Sequence, residues 1–277
     1  MKIARYELLD GTVRVGLVEG DQVRDLPGGI TVLQAAAERP TPTSAARALH
    51  EVRLLAPVPR PRKILGIGLN YTDHVVEGGP AREAPAFPVF FNKQVSSLAG
   101  PFDAIVRPRV SAQLDYEGEL VVVIGRTCRR VAETDALRAV AGYMIGNDVS
   151  VRDWQRLAPT LTLGKSFDTH CPTGPWLVTP DEIVDPYKLQ VRTSVGEEIL
   201  QSFTTANMIH RIEKQIAILS TAFTLEPGDL ILTGTGAGVA FFRKPQRWLV
   251  PGERVRVEIT ALGAIENPVV DEEAGAT

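Results

Sequence analysis

Cysteine is scarce in this sequence, with only Cys128 and Cys171 among 277 residues. Two thiols make no disulfide framework and do not sit at a zinc-ligand spacing, so both are expected to be reduced packing residues. A basic surplus is missing too. The formal net charge is -3 and the isoelectric point is near 5.9, which argues against a nucleic-acid-binding protein. No apolar run approaches the length of a membrane span, and residues 1–6 lack the hydrophobic stretch of a secretory signal. These absences point to a cytoplasmic chain with no nucleic-acid or membrane partner. Hydrophobic residues at 44% and charged residues at 23% then place it among globular proteins rather than disordered or coiled-coil ones.

Residues 1–56 read as a small N-terminal domain. Segments 2–9 and 13–19 carry strand-forming residues on either side of the turn Asp10-Gly11, a hairpin signal, and 30–39 and 44–51 have the pattern of short helices. In Ala56-Pro57-Val58-Pro59-Arg60-Pro61-Arg62 the three prolines stiffen an extended linker. A main domain is expected over 57–270, with 271–277 as a loose tail. Within it 63–69, 114–124, 189–195, 229–233 and 253–259 read as strands. The clearest helix is expected over 206–223, from the helical recurrence of Met208, Ile212, Ile216, Leu219 and Phe223. Many short strands without βαβ repetition predict an α+β fold, a β-rich mixed sandwich or roll with few flanking helices.

Acidic residues carry the chemistry that can be read directly. On a strand Glu117 and Glu119 share a face, with Cα atoms roughly 6.5–7 Å apart, so both can converge on one ion. The alternative is a solvated face, which spacing alone favours. However, that face continues with Val121 and Val123, while the other bears Tyr116, Leu120 and Val122. A strand apolar on both faces is usually buried, and buried carboxylates need a cation or a proton. The two readings stand level. Asp148, in Gly146-Asn147-Asp148-Val149-Ser150, is either a third oxygen donor or an ordinary turn residue. Three such donors would select Mg²⁺, Mn²⁺ or Ca²⁺ over zinc. Lys165 would offset their excess charge, or is a surface lysine. His74 and Glu77 stand at i and i+3, where Glu77 can orient the imidazole for base catalysis. The alternative is an incidental surface pair.

Two glycine-rich stretches invite a nucleotide-binding reading. Gly66-Ile67-Gly68 has Tyr71 where a third glycine would stand, and Thr233-Gly234-Thr235-Gly236-Ala237-Gly238 is followed by Phe241-Phe242-Arg243-Lys244-Pro245, which opens no helix. Dinucleotide binding is therefore not expected. The second stretch instead reads as a tight turn that lets backbone amides approach a ligand.

Taken in order, these segments resemble the fumarylacetoacetate hydrolase family. The matching stretches begin with Gly68-Leu69-Asn70-Tyr71, His74 and Glu77, and continue through Leu114-Asp115-Tyr116-Glu117-Gly118-Glu119. They go on with Gly142-Tyr143, Asn147-Asp148-Val149-Ser150, Arg152-Asp153 and Gly164-Lys165-Ser166-Phe167-Asp168-Thr169, and end with Leu225-Glu226-Pro227-Gly228-Asp229, Thr233-Gly234-Thr235 and Pro251-Gly252-Glu253. The resemblance implies that Glu117, Glu119 and Asp148 bind Mg²⁺ or Mn²⁺ and that His74 and Glu77 form a water-activating dyad. It makes Lys165 an oxyanion contact, Thr235, Gly234 and Tyr71 substrate contacts, and Arg152 the holder of a substrate carboxylate. It also implies a homodimer that hydrolyses a C–C bond in an acylpyruvate-type 1,3-dioxo acid. Decarboxylation, isomerisation or hydration of a related oxo-acid such as oxaloacetate would use the same site. A non-catalytic carboxylate binder would keep the fold without needing a base. Gln94, Gly236, Ala240, His210 and Ser194-Val195-Gly196-Glu197 depart from the family pattern and are expected to line or border the pocket.

Overall fold

Strand-forming sequence dominates the chain, and most of it joins one twelve-stranded sheet. The computed structural model describes residues 1–79 and 83–273. At the centre of the sheet Gly118–Ile124 runs antiparallel to both Val140–Asn147 and Leu230–Leu232. Leu120, Val122 and Ile124 enter one core and Val121 and Val123 the other, so the strand is buried on both faces. Each such side chain gains about 1.5–3 kcal/mol on burial. Five together outweigh the several kcal/mol that one buried carboxylate costs, which lets this strand carry acidic groups into the interior.

Beyond Leu230–Leu232 the sheet continues with Ile64–Gly68, parallel to it, and then Val89–Lys93. On the other side Cys171–Val178 follows Val140–Asn147. There Lys2–Glu7 pairs through Lys2 with Val178 and Ile3 with Leu177. The N-terminal hairpin of Lys2–Glu7 and Val13–Glu19 therefore extends the large sheet. A second sheet orders Glu198–Thr204, Gln190–Val195, Arg254–Ile259, Gly263–Asp271 and Ile105–Arg107. Its Val191, Val257, Ile259 and Ile265 share a core with Leu120 and Val122 and with Ile212, Ile216 and Leu219 of the helix Ile212–Ala222. On the far face of the large sheet lies Val32–Glu38, a helix started by a capping box between Thr31 and Gln34. The result is a strand-rich α+β fold.

Several elements differ from the reading of the sequence. The 44–51 segment is not a helix: Arg47–Ala48 pairs with Gln22 and Val23 and only Leu49–Glu51 coils, as a single tight turn. A sheet edge offers ready hydrogen bonds to a segment too short to nucleate a helix. The long helix begins at Ile212, not 206. Asn70 accepts from the Ile209 amide through its carbonyl and from the His210 amide through Oδ1, both at 2.8 Å, so these amides are spent outside the helix. The 114–124 strand is interrupted at Tyr116-Glu117, where Asn147 Oδ1 takes the Glu117 amide in place of a ladder partner. Asp271 is no loose end but closes the strand Gly263–Asp271 beside Arg107, while 274–277 lie outside the described residues. Cys171 is buried, Cys128 is half-buried, and both are free thiols. Among the described residues no helix is long and apolar enough to cross a membrane.

Candidate active site

Sheet register brings the three acids together. Glu119 lies opposite Gly146 and Gly118 opposite Asn147, so Glu117 and Asp148 flank the end of the same strand pair. The Asp148 amide closes this corner on the Glu117 carbonyl at 2.9 Å. Glu117 is 5% exposed, Glu119 1% and Asp148 fully buried, and each offers an oxygen within 4.8 Å of the others.

Cations already answer part of this charge. Lys165 Nζ donates to Glu117 Oε2 at 2.7 Å and to Asp148 Oδ2 at 2.5 Å, so an ammonium stands between two of the three carboxylates. Lys93, buried, donates to the other Asp148 oxygen at 2.7 Å and to the Lys165 carbonyl. Arg152 pairs with Asp115 Oδ2 at 2.7 Å and with Glu117 Oε1 at 2.6 Å. Burial pushes the Glu117 pKa up, but Lys165 and then Arg152 pull harder and hold it well below the usual carboxylate range. Glu119 is the opposite case. Burial, then repulsion from Asp148 and Glu117, drive its pKa well above the ordinary value. Its one direct hydrogen bond comes from the Gly234 amide at 2.7 Å, and no cation lies within ion-pair reach among the described residues. A buried carboxylate left over beside two paired ones, all three supplying hard oxygen, fits a divalent cation of the Mg²⁺, Mn²⁺ or Ca²⁺ type. The Lys165 ammonium marks where positive charge is wanted.

The helix Thr72–Glu77 carries the candidate base. His74 Nδ1 lies 3.1 Å from Glu77 Oε2, and the ring meets Phe242 edge-on with centroids 5.7 Å apart. The glycine-rich loop grips this helix from outside. Gly238 donates its amide to Glu77 Oε1 at 2.7 Å, and Ala237 donates to Asp73 Oδ2 at 3.4 Å. With Nδ1 engaged by Glu77, Nε2 is the ring nitrogen left to exchange a proton.

His74, Glu117, Glu119, Arg152, Lys165 and Thr235 all line one cavity of about 650 Å³, whose apolar wall includes Phe91, Leu157, Leu161, Phe241 and Phe242. Other expected contacts are placed differently. Tyr71 is fully buried edge-on against Phe203, so it braces the wall instead of meeting a ligand. The Gly234 amide is taken by Glu119, and the Thr235 hydroxyl donates to the Gly118 carbonyl while accepting from Gln201. The Arg152 guanidinium is spent on Asp115, Glu117 and Gln155, which leaves it poorly placed to hold a substrate carboxylate. The departures from the family pattern are not among the residues that line the cavity. Gln94 donates its amide to Ser166 Oγ at 3.0 Å, a bond proline could not make. Gly236 faces the Phe203 ring, which a Cβ would approach to 2.3 Å. Ala240 gives its amide to Asp115, and His210 meets the Pro85 carbonyl.

Lys93, Asp115 and Gln201 were not singled out from the sequence. Asp115 alone receives Arg152 and the amides of Tyr116, Ala240 and Phe241. Its place in the strand beside Glu117 was the available signal, since a third buried carboxylate there needs partners of its own.

Comparison with known proteins agrees with this architecture. The family described as fumarylacetoacetate (FAA) hydrolase C-terminal matches residues 63–270, and Rv2993c-like, N-terminal matches 1–57. Oxaloacetate tautomerase Fahd2a, mitochondrial, of Rattus norvegicus is 46% identical over 221 residues, which is 79% of this chain and 70% of that protein. The corresponding fahd2 protein of Xenopus laevis is 47% identical, covering 79% and 69%. Among solved structures, fumarylacetoacetate hydrolase from Exiguobacterium antarcticum superposes with a TM-score of 0.87 at 38% identity, covering 98% of this chain and all of that one. A 2-hydroxyhepta-2,4-diene-1,7-dioate isomerase from Mycobacterium marinum gives 0.83 at 36% identity, covering 99% and 100%. By fold, by register and by the acids its sheet gathers, the chain belongs to the fumarylacetoacetate hydrolase family.

Proposed function

We propose that this protein catalyses proton transfer between the keto and enol forms of a small 2-oxo acid of the oxaloacetate kind. The observation that carries the reading is that His74, paired with Glu77, lines the cavity that also holds Glu117, Glu119 and Lys165. Enolisation needs a base at the carbon beside the carbonyl and something to hold the negative charge that develops on oxygen. His74 takes the proton from the carbon beside the carbonyl and delivers it to the enolate oxygen, and ketonisation runs the same transfer in reverse. Glu77, held by the Gly238 amide, keeps Nδ1 protonated and stabilises the imidazolium that forms. Glu117, Glu119 and Asp148 would hold a divalent cation, which supplies Lewis-acid stabilisation of the enolate charge. Lys165 keeps its proton because Asp148 and Glu117 outweigh its desolvation, so it adds positive charge at the same place. Names borne by the relatives support the substrate class: two are oxaloacetate tautomerases and one is a dienoic acid isomerase.

Acylpyruvate hydrolysis is the second reading, with His74 acting on water instead of carbon. The size of the cavity and its apolar wall favour it, since they leave room for an acyl group. Both are tested by following enol absorbance with oxaloacetate and pyruvate release from an acylpyruvate. In His74→Ala the rate should fall by about 10²–10⁴-fold with Mn²⁺ affinity retained, and Glu77→Gln should lose less. An unchanged rate in His74→Ala removes the dyad from the mechanism. Pyruvate release without faster enol decay selects hydrolysis.

A further inference from the structure

We propose that Arg156 is the specificity-determining residue for a second carboxylate, at the far end of a dicarboxylic 2-oxo acid; this rests on the oxo-acid reading above. Arg156 caps the short helix Arg152–Gln155, one turn beyond Arg152. Positions i and i+4 share a face, and both arginines line the cavity. They differ in what answers their charge. Arg152 is tied to Asp115 and Glu117, Lys165 to Glu117 and Asp148, and Lys93 to Asp148.

Arg156 has no acidic partner among the described residues. Its NH2 donates to Gln113 Oε1 at 3.2 Å, and its guanidinium carbon stands 5.1 Å from the centre of the Phe241 ring. Two uncharged neighbours therefore steady the group and leave its positive charge unanswered. The same cavity is lined by Glu117 and Glu119 and by the apolar Leu157 and Phe241, so a ligand that seats its 2-oxo acid end at the acids can turn its tail toward the segment that carries Arg156. A methyl-ended tail gains nothing from a guanidinium. A carboxylate-ended tail gains a charge-assisted, two-pronged hydrogen bond, which a fork-shaped donor forms better than a lysine.

The test uses Mn²⁺-loaded full-length protein with oxaloacetate and 2-oxobutanoate, which have the same carbon backbone and differ in a terminal carboxylate against a methyl. Binding is read by calorimetry, and exchange of the C3 hydrogens in D2O by NMR. Arg156→Gln should weaken Kd and KM for oxaloacetate by about tenfold or more, leave 2-oxobutanoate within about twofold, and change kcat less than KM. Arg156→Lys should recover part of the difference. Equal weakening of both ligands, or none for oxaloacetate, overturns the assignment. If wild type exchanges neither ligand while Arg156→Gln still selectively loses oxaloacetate, the proton-transfer reading falls and Arg156 stands. If exchange proceeds and selectivity does not move, Arg156 falls and the proton-transfer reading stands.

Discussion

Glu119 is the residue whose state depends most on what shares its site. Burial, then repulsion from Asp148 and Glu117, raise its pKa above the ordinary value. A folded-state pKa above the unfolded value gives stability that is present below the ordinary Glu value and is lost as pH rises through the raised one. A divalent cation competes with that proton and reverses the trend. The stabilisation conferred by Mn²⁺ is therefore expected to grow as pH rises above the ordinary Glu value. Unfolding midpoints with and without Mn²⁺ across that range check it, and a gap independent of pH would sink it. At this scale the sequence spoke where periodicity placed residues: Glu119 sits on a strand, with Glu117 at its interrupted start, whose apolar residues on both faces pointed to burial. It was silent on Lys93 and Gln201, whose partners lie up to 83 residues away, as Gln201 and Gly118 do. It also suggested Tyr71 as a ligand contact, because local sequence does not show that Phe203 arrives to cover it.

Among the elements, the glycine-rich loop is the one whose geometry reaches furthest. Gly238 has φ +105°, and a Cβ there would come within 2.1 Å of the Leu200 carbonyl oxygen. A side chain must shift the loop, at about 1–3 kcal/mol, and with it the amide that holds Glu77. Gly238→Ala is expected to lower kcat at least as much as Glu77→Gln does, while Gly20→Ala, in open space at φ +63°, costs stability alone. Steady-state kinetics and urea unfolding of both variants decide it; normal turnover in Gly238→Ala contradicts a positioning role for the loop. The strands at Gln190–Val195 and Arg254–Ile259 were legible because their alternation is local, and Ile64–Gly68 because it lies in a short apolar run. The start of Ile212–Ala222 was not. Met208 has the helical spacing but spends its neighbourhood on the Asn70-Tyr71 segment instead.

Across the whole molecule, His170 links the two sheets. It precedes Cys171–Val178 of the large sheet, and its Nε2–H donates to the carbonyl of Val106, on the edge strand of the small one, at 2.8 Å. Burial lowers its pKa to about 3, with the Val106 bond opposing and Lys93 assisting. A depressed folded-state value means stability that is full above the ordinary 6.5 and is lost as pH falls toward 3. His170→Asn should be less stable at neutral pH yet lose less on acidification across that window; thermal unfolding at stepped pH checks this, and parallel slopes would rule it out. Fold class was legible from strand frequency, but the joining of the N-terminal hairpin to Cys171–Val178 was not, since nothing local in Lys2–Glu7 names a partner so far along the chain. The ammonium of Lys165, seated between Glu117 and Asp148, has a further consequence. An ammonium built into the cluster balances part of its charge from within, so the chain itself holds these two carboxylates side by side whatever else the cluster binds.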